Sequence, residues 1–169
     1  RADVLLRLKT WLFIAPAVIV PVVLCAGTAM TLVCILSLLC YREFARATGV
    51  FRHRLLSALV ALGVIALTLA AADHWYGLFV AIPALTVTII AGASVLQDEP
   101  AGYLQRVSLS IIGFLLFGVA LSHLTFIAND RNYRPILCLV LACSQASDVL
   151  AYICGKAFGR RKLFPNTSP

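Results

Sequence analysis

Charged residues are scarce in this chain of 169 residues, at 12% of the sequence, whereas hydrophobic residues make up 62%. An ordinary soluble domain is about half apolar and about one quarter charged. So few charges cannot cover a surface that faces water, which excludes a soluble globular domain, a disordered tail and a coiled coil. Lipid must therefore be the solvent for most of the chain. We predict an all-α fold, a polytopic bundle of transmembrane helices.

Acidic residues are scarcer still, with 7 Asp and Glu against 14 Lys and Arg, so the net charge is +7. In a soluble protein this excess would suggest a nucleic-acid partner. In a membrane protein it indicates basic loops that face anionic headgroups or a phosphorylated substrate. We therefore expect the membrane itself to be a partner, and no nucleic acid.

Cysteine pairs of the C-x-x-C type are absent, as are internal repeats and long linkers. The six cysteines all lie in or beside apolar runs, at positions 25, 34, 40, 138, 143 and 154. They are typical of small apolar helix residues, which argues against a disulfide framework and a zinc site. The chain starts at Arg1 and stops at Pro169, and both ends look cut, so a leader or a further domain outside these residues is an open expectation.

Apolar runs follow one another along the chain and predict about six spans. The run from Trp11 to Tyr41 is too long for one perpendicular span, which needs about 20 residues, so it is either one tilted helix or a hairpin that turns near residues 26–28. Basic residues flank the run on both sides, which favours an even number of crossings and hence the hairpin. The predicted spans are residues 11–26, 28–41, 55–72, 77–96, 106–128 and 135–155.

This count places the N-terminus, the 42–54 loop and the 156–169 tail on the cytoplasmic side. The tail holds the densest positive cluster of the chain: Lys156, Arg160, Arg161 and Lys162. That agrees with the tendency of basic loops to stay inside. Two loops fit less well, because Asp98 and Glu99 would lie inside and Arg131 and Arg134 outside.

The sixth predicted span differs from the others in its polar stretch, Ser144–Asp148. An ionisable side chain within a span is unfavourable and is by default a functional hypothesis. On a helix, Ser144, Asp148, Tyr152 and Gly155 share one face, since they are four, four and three residues apart. The alternative is that Asp148 bonds to a neighbouring helix and holds the bundle together.

Glycines accompany the basic cluster, at Gly155 and Gly159. Glycine beside lysine and arginine allows a backbone to approach a phosphate closely, and arginine adds bidentate contacts. A phosphate site is one interpretation of this pattern. The other is a plain topology signal after the last span.

The stretch from Asp148 to Pro169 closely resembles phosphatidate cytidylyltransferase, also called CDP-diglyceride synthase. That family typically has the pattern D-x-x-A-Y-x-x-G-K-x-x-G-(K/R)-x-K-L-x-P-x-x-S-P, and this chain matches it throughout. The segment Tyr41–Arg46 resembles a second family motif, W/Y-x-E-F/W-A-R, although Glu43 is also expected to pair with Arg46 at the end of a helix. The family's next motif, K-K-T-x-E-G, and its C-terminal signature do not occur in this chain.

The resemblance therefore implies the N-terminal portion of such an enzyme. Residues 1–134 would be its N-terminal transmembrane helices, and residues 135–169 would be the sixth span with a cytoplasmic basic segment that begins the catalytic region. The C-terminal half of the family would be absent, so this portion could be inactive alone.

The implied reaction transfers a cytidylyl group from CTP to phosphatidate and yields CDP-diacylglycerol and pyrophosphate. Asp148 and Lys156 would be catalytic, and Asp148 would hold Mg²⁺. The substrate-binding residues implied are Tyr152, Gly155, Gly159, Arg160, Lys162 and Ser168. The expected location is the cell (inner) membrane, as a multi-pass protein with its active site facing the cytoplasm, and a homodimer is one assembly that such a bundle permits.

Two alternatives belong to other classes of protein. A lipid kinase of the dolichol-kinase type is also polytopic and uses a nucleotide, but the spacing from Asp148 to Pro169 favours the cytidylyltransferase. A scaffold or transporter subunit would use Asp148 only to face a neighbouring helix or a pore. Transporters usually have broken helices in repeated halves, and this sequence has no such repeat.

Overall fold

The chain folds entirely into helices in a computed structural model, which describes the backbone of residues 2–159 and the side chains of residue 12 and residues 14–159. No strand occurs among the described residues, so the all-helical prediction is confirmed. The helices are α1 (Ala2–Leu24), α2 (Ala26–Thr48), α3 (Arg54–Ala72), α4 (Tyr76–Leu96), α5 (Tyr103–Gly113), α6 (Ala120–Ala128) and α7 (Tyr133–Phe158). A 3-10 turn at Val50–Arg52 precedes α3, and a π-helical segment at Phe114–Val119 joins α5 to α6 without a break.

Most of these helices are long and apolar enough to cross a membrane. Within the described residues, five stretches qualify: α2, α3, α4, the continuous helix from Tyr103 to Ala128, and α7. Helix α1 adds a shorter apolar stretch, Ile14–Leu24, which contains Pro16 and Pro21. This arrangement agrees with a polytopic bundle of about six spans.

The long apolar run at the start of the chain is broken at Cys25, whose backbone is extended, with φ −157° and ψ 164°. Thr28 closes the break, because its Oγ1 accepts the Cys25 N–H at 3.3 Å and donates to the carbonyl oxygen of Pro21 at 2.7 Å. The last carbonyls of a helix have no partner within it, so this hydroxyl satisfies one of them. The structure therefore has two helices here, and the break lies one residue before the predicted turn.

Helix α3 is the centre of the bundle, since it packs against α2, α4 and the helix from Tyr103 to Ala128. Five of its seven buried residues recur every three or four positions: Leu56, Val60, Val64, Leu67 and Ala71. Phe114 is fully buried against Gly63 and Gly118, and a Cβ on either glycine would lie 2.8 Å from its ring. Small residues let apolar helices approach closely in lipid, and here they make room for one aromatic ring.

The π-helical segment is tied to α2 by a side-chain hydrogen bond. A π turn departs from the regular ladder of backbone hydrogen bonds, and the buried Ser37 hydroxyl donates to the carbonyl oxygen of Phe117 within this segment. An unpaired carbonyl is costly where no water reaches it. Ser37 therefore stabilises the irregular turn in the interior of the bundle.

Consecutive helices alternate in direction, so their connections gather at two ends. The basic end comprises residues 49–53, residues 97–102 and the last turn of α7, whereas the opposite end comprises Cys25, residues 73–75 and residues 129–132. At the opposite end, Asn129 Nδ2 donates to the carbonyl oxygens of Ala71 and Ala72 at 2.8 and 2.9 Å. At the basic end, residues of both connections line one cavity.

Charge is distributed unequally between the ends. At the basic end the described cations are Arg42, Arg46, Arg52, Arg54, Arg106 and Lys156, against Glu43, Asp98 and Glu99. At the opposite end, Arg131 and Arg134 are balanced by Asp73 and Asp130. Arg134, which fitted the predicted topology poorly, has a local role, because its Nη2 donates to the Leu24 carbonyl at 3.3 Å. This arginine caps the end of α1.

The close approach at Gly63 can be tested by adding a methyl group. Gly63→Ala should lower the free energy of unfolding by about 1–3 kcal/mol, because overpacking a filled interior forces neighbours to shift, and the new Cβ would meet both Phe114 and Thr86 at 2.8 Å. Gly92→Ala in α4 is the matched control, since nothing lies within 4 Å of its Cβ. Denaturant titration in detergent micelles measures both variants, and equal stability would contradict the packing described at Gly63.

The two ends should lie on opposite sides of the membrane. In a variant without native cysteines, Arg52→Cys and Asp130→Cys should react with a membrane-impermeant maleimide from opposite faces, because an odd number of helices lies between them. Intact cells and inverted vesicles give the two readouts, and detergent-solubilised protein confirms that both thiols can react. Labelling of both positions from the same face would disprove this topology.

Candidate active site

Helix α7 carries the polar residues predicted to form the site. It begins at Tyr133, tolerates Pro135 in its first turn, where proline breaks no helical hydrogen bond, and continues to Phe158. Ser144, Asp148, Tyr152 and Lys156 therefore occupy consecutive turns and lie on one face. The predicted face of Ser144, Asp148, Tyr152 and Gly155 is present in an unbroken helix, and Lys156 is the residue next to Gly155.

The buried residues of α7 lie in its first turns. Helix α7 contacts α6 and α1, and its buried residues are Tyr133 and Leu137. Residues Cys138 to Phe158 are exposed apart from Leu141, which is half-buried. The polar face formed by Ser144, Asp148, Tyr152 and Lys156, here called the α7 polar face, is thus fully accessible in the described part of the chain.

Asp148 has no cationic partner among the described residues. The two salt bridges found there join Glu43 to Arg46 and Glu99 to Arg106, and neither involves α7. An unpaired carboxylate at membrane depth is unfavourable. Asp148 is exposed, so its carboxylate is open to a ligand or a further partner as far as the described side chains show.

Lys156 lies one turn beyond Tyr152, with its Nζ 5.9 Å from the centroid of the tyrosine ring. This distance is within the range of a cation–π contact, which holds an ammonium group over an aromatic face. Gly155 stands beside the pair, and a Cβ there would meet nothing within 4 Å. The surface next to the ammonium is therefore open, as a bulky anion would require.

Gly159 has a structural role at the end of α7. Its N–H donates to the Gly155 carbonyl oxygen at 3.0 Å, and a Cβ at residue 159 would collide with that same oxygen. The last turn can thus close in this way only without a side chain at this position. Arg160, Lys162 and Ser168, the other predicted site residues, lie outside the described residues.

A metal site is not complete within the described residues. No group of three or more His, Cys, Asp or Glu side chains that could hold an ion occurs among them. Magnesium, however, is often bound through one or two carboxylates, with substrate phosphates and water filling the remaining positions. The exposed carboxylate of Asp148 is compatible with that mode of binding. The described residues do not offer enough side-chain ligands to enclose the ion by themselves.

An apolar groove runs between α1 and α7 and was not predicted from the sequence, because its two walls are far apart in the chain. It has a volume of about 320 Å³, and its lining includes Ile14, Val18, Leu141 and Gln145. Gln145 is three residues before Asp148, so the groove lies beside the α7 polar face. This groove is hereafter called the α1–α7 groove.

The segment Tyr41–Arg46 lies at the end of α2 and not beside α7. Glu43 Oε1 and Arg46 Nη1 are 3.5 Å apart, which is the expected i,i+3 pair, and exposed pairs of this kind contribute little to stability. Tyr41 and Ala45 are buried in the core. In this structure the segment anchors the end of α2.

Arg106 is a residue that the sequence did not single out. The predicted fifth span starts at this residue, but α5 begins three residues earlier and places its guanidinium inside the protein, with 10% of the side chain exposed. A single arginine at the edge of an apolar run is normally a topology signal. The only sequence sign of another role was a nearby carboxylate, Glu99.

Long apolar helices with one polar face on α7 define this chain as part of a polytopic membrane protein. Comparison with known families then makes the class specific: the sequence model described as "Cytidylyltransferase family" matches residues 5–169. The chain therefore belongs to the cytidylyltransferase family, and the resemblance seen in its last 22 residues is confirmed.

Among individual proteins, the chain is similar to the uncharacterized protein YnbB of Escherichia coli (strain K12). The two are 32% identical over 93 residues, which is 52% of this chain and 31% of that protein. The matched region thus spans about a third of the length of this relative. No solved structure matches the chain.

Proposed function

We propose that the full-length protein is an integral-membrane cytidylyltransferase that converts CTP and phosphatidate to CDP-diacylglycerol and pyrophosphate. The observation that carries the proposal is the α7 polar face, which presents Asp148, Tyr152 and Lys156 together on the helix that holds the first half of the family motif. Membership of the cytidylyltransferase family supports the nucleotide half of the reaction. The lipid half rests on the motif and on the groove beside it.

In the proposed reaction, an oxygen of the phosphatidate phosphate attacks the α-phosphorus of CTP. The bond between that phosphorus and the bridging oxygen to the β-phosphate breaks, and pyrophosphate leaves. Catalysis of this kind depends on aligning the two phosphates and balancing their negative charge. Lys156 would bind a phosphate oxygen, and the open surface at Gly155 would leave room for that phosphate to approach α7.

Magnesium is the cofactor implied by the family, and Asp148 would hold it. The ion would supply neutralisation of the triphosphate charge. Because the Asp148 carboxylate would repel a triphosphate without its metal, the α7 polar face would bind the metal–nucleotide complex in preference to the free anion. Tyr152 would position Lys156 through the cation–π contact.

The α1–α7 groove supports a lipid acceptor. The described residues that line it are mainly aliphatic, and an acyl chain can pack against such side chains as it packs against other acyl chains in the bilayer. The groove lies next to Gln145, so a lipid held there would bring its headgroup toward the α7 polar face. We propose that the basic end faces the cytoplasm of an inner membrane, where CTP is available to that headgroup.

A product assay distinguishes this function from the alternatives. Full-length protein in micelles, supplied with Mg²⁺, phosphatidate and CTP labelled at the α-phosphate, should yield labelled CDP-lipid. A lipid kinase would leave that label in the soluble nucleotide and transfer the terminal phosphate to a polyprenol. A scaffold or transporter subunit would produce no labelled lipid at all.

Asp148→Asn preserves the shape of the side chain and removes its charge. In the full-length protein this change should reduce turnover at least ~100-fold, the scale of a lost metal-orienting or electrostatic group. Asp130→Asn, at the opposite end, is the matched control and should leave turnover unchanged. A folded Asp148→Asn variant with normal turnover would show that the carboxylate has only a structural role.

Position-specific loss of affinity separates phosphate binding from bulk charge in the basic segment. Lys156→Gln and Lys162→Gln should each weaken the apparent affinity for CTP or phosphatidate by about 1.5–3 kcal/mol, the scale of a charge-assisted hydrogen bond. Arg161→Gln is the control and should cost under ~1 kcal/mol, as expected of an exposed charge, because the family varies at this position. KM values for both substrates measure the effects, and three equal effects would refute a role for the two lysines in phosphate binding.

A further inference from the structure

A polar cavity lies at the basic end, between the end of α2 and the start of α5. Its volume is about 270 Å³, and its lining includes Thr48, Gly49, Arg52, His53, Gly102 and Arg106. No residue of α7 is among its described lining residues. Among the described residues, the cavity and the α7 polar face therefore have no residue in common.

Arg106 is the buried cation of this cavity. Its Nη1 donates to Glu99 Oε2 at 2.8 Å and to the Ala101 carbonyl oxygen at 3.2 Å, and its Nη2 donates to the Glu99 carbonyl oxygen. The remaining donor, Nε, is buried and has no acceptor among the described residues. A buried donor without an acceptor is unfavourable, so the guanidinium has capacity for one further acceptor.

The Glu99 carboxylate that neutralises Arg106 is held loosely. The glutamate side chain is 60% exposed, whereas that of Arg106 is 10% exposed. A carboxylate so exposed gains little from its ion pair because water competes for both charges. It can turn outward and leave the guanidinium to a stronger, bidentate acceptor such as a phosphate group.

The remaining walls of the cavity favour an anion. Helix α5 starts after Gly102, which has φ +70°, and no side chain caps this helix, so the unpaired N–H groups of its first turn carry partial positive charge. Arg52 and His53 add basic side chains. The C-terminus of α2 also lies here, and free carbonyl oxygens at such an end would repel an anion. Two of these carbonyls are already paired, because Thr48 Oγ1 and the Gly49 N–H donate to carbonyl oxygens of the last turn at 2.8 and 3.4 Å.

We propose that this cavity binds a phosphate-type oxyanion, with Arg106 and Arg52 as its cationic ligands and with Glu99 as the group that the anion displaces. Phe51, Leu55 and Leu104 are exposed apolar residues close by in sequence at the same end. Such side chains suit the boundary between headgroups and acyl chains. The phosphate of an anionic lipid is therefore the expected source, and free phosphate is the other source of the same chemistry.

The test uses two probes and purified full chain in zwitterionic detergent. The probes are inorganic phosphate and dihexanoyl phosphatidylglycerol, whose phosphate is already a diester and so cannot act as the nucleophile of the proposed reaction. A ligand that binds the folded state raises its unfolding temperature, and the rise increases with the ratio of ligand concentration to Kd. Stabilisation by both probes means that a phosphate group suffices, and stabilisation by the lipid alone means that its glycerol parts contribute. Failure of both probes to stabilise the protein overturns the proposal.

Variants assign the binding to this cavity. Arg52→Gln should weaken the apparent Kd at least about fivefold through loss of a charge-assisted contact, whereas the control Arg54→Gln, two residues away and outside the cavity, should change it less than about twofold. Glu99→Gln should strengthen binding, because the competing carboxylate is gone. Arg106→Lys should also weaken binding. If that variant does not fold, the other three variants still test the proposal. Equal effects of Arg52→Gln and Arg54→Gln, or weaker binding by Glu99→Gln, would overturn the proposal.

Discussion

Polar groups inside a bilayer cannot turn to water, so each must find a partner within the protein or lie at a membrane surface. Three irregular points of the backbone in this bundle satisfy that constraint through a side chain. The Thr28 hydroxyl donates to the Pro21 carbonyl oxygen where α1 ends, and the Ser37 hydroxyl donates to the Phe117 carbonyl oxygen in the π-helical segment. The Asn129 amide donates to the last carbonyl oxygens of α3. Short side chains with hydroxyl or amide groups thus permit breaks that hydrocarbon would otherwise forbid.

The same constraint orders the charges. The ends hold almost all ionised side chains of the described residues, and Arg106, which lies deeper, is paired with Glu99. Asp148 departs from this rule, since it lies in the middle of α7 without a cation beside it in the described part of the chain. Asp148 is also the residue at which the resemblance to the family motif begins, and the chain belongs to that family.

Hydropathy predicted the helices well because a run of apolar residues in lipid has only one stable backbone arrangement. The shared face of Ser144, Asp148 and Tyr152 followed from helical spacing alone. Other features depend on contacts between distant segments and left no local sign. Gly63 and Gly92 are both glycines within apolar runs, and only the packing of Phe114 against Gly63 distinguishes them. The π-helical segment and the α1–α7 groove likewise leave the hydrophobic periodicity of the sequence unchanged.

The buried residues of helix α7, Tyr133 and Leu137, lie near its start, and beyond them the helix faces α1 along the α1–α7 groove. At a rise of 1.5 Å per residue, the distance from Leu137 to Lys156 is about 28 Å. A tilt of the helix axis by roughly 10° about Leu137 would therefore displace Lys156 by about 5 Å and Asp148 by about 3 Å. Phosphoryl chemistry tolerates misplacement of about 1 Å at most without a large loss of rate. The position of the α7 polar face must therefore also depend on contacts beyond Leu137, including those along the α1–α7 groove.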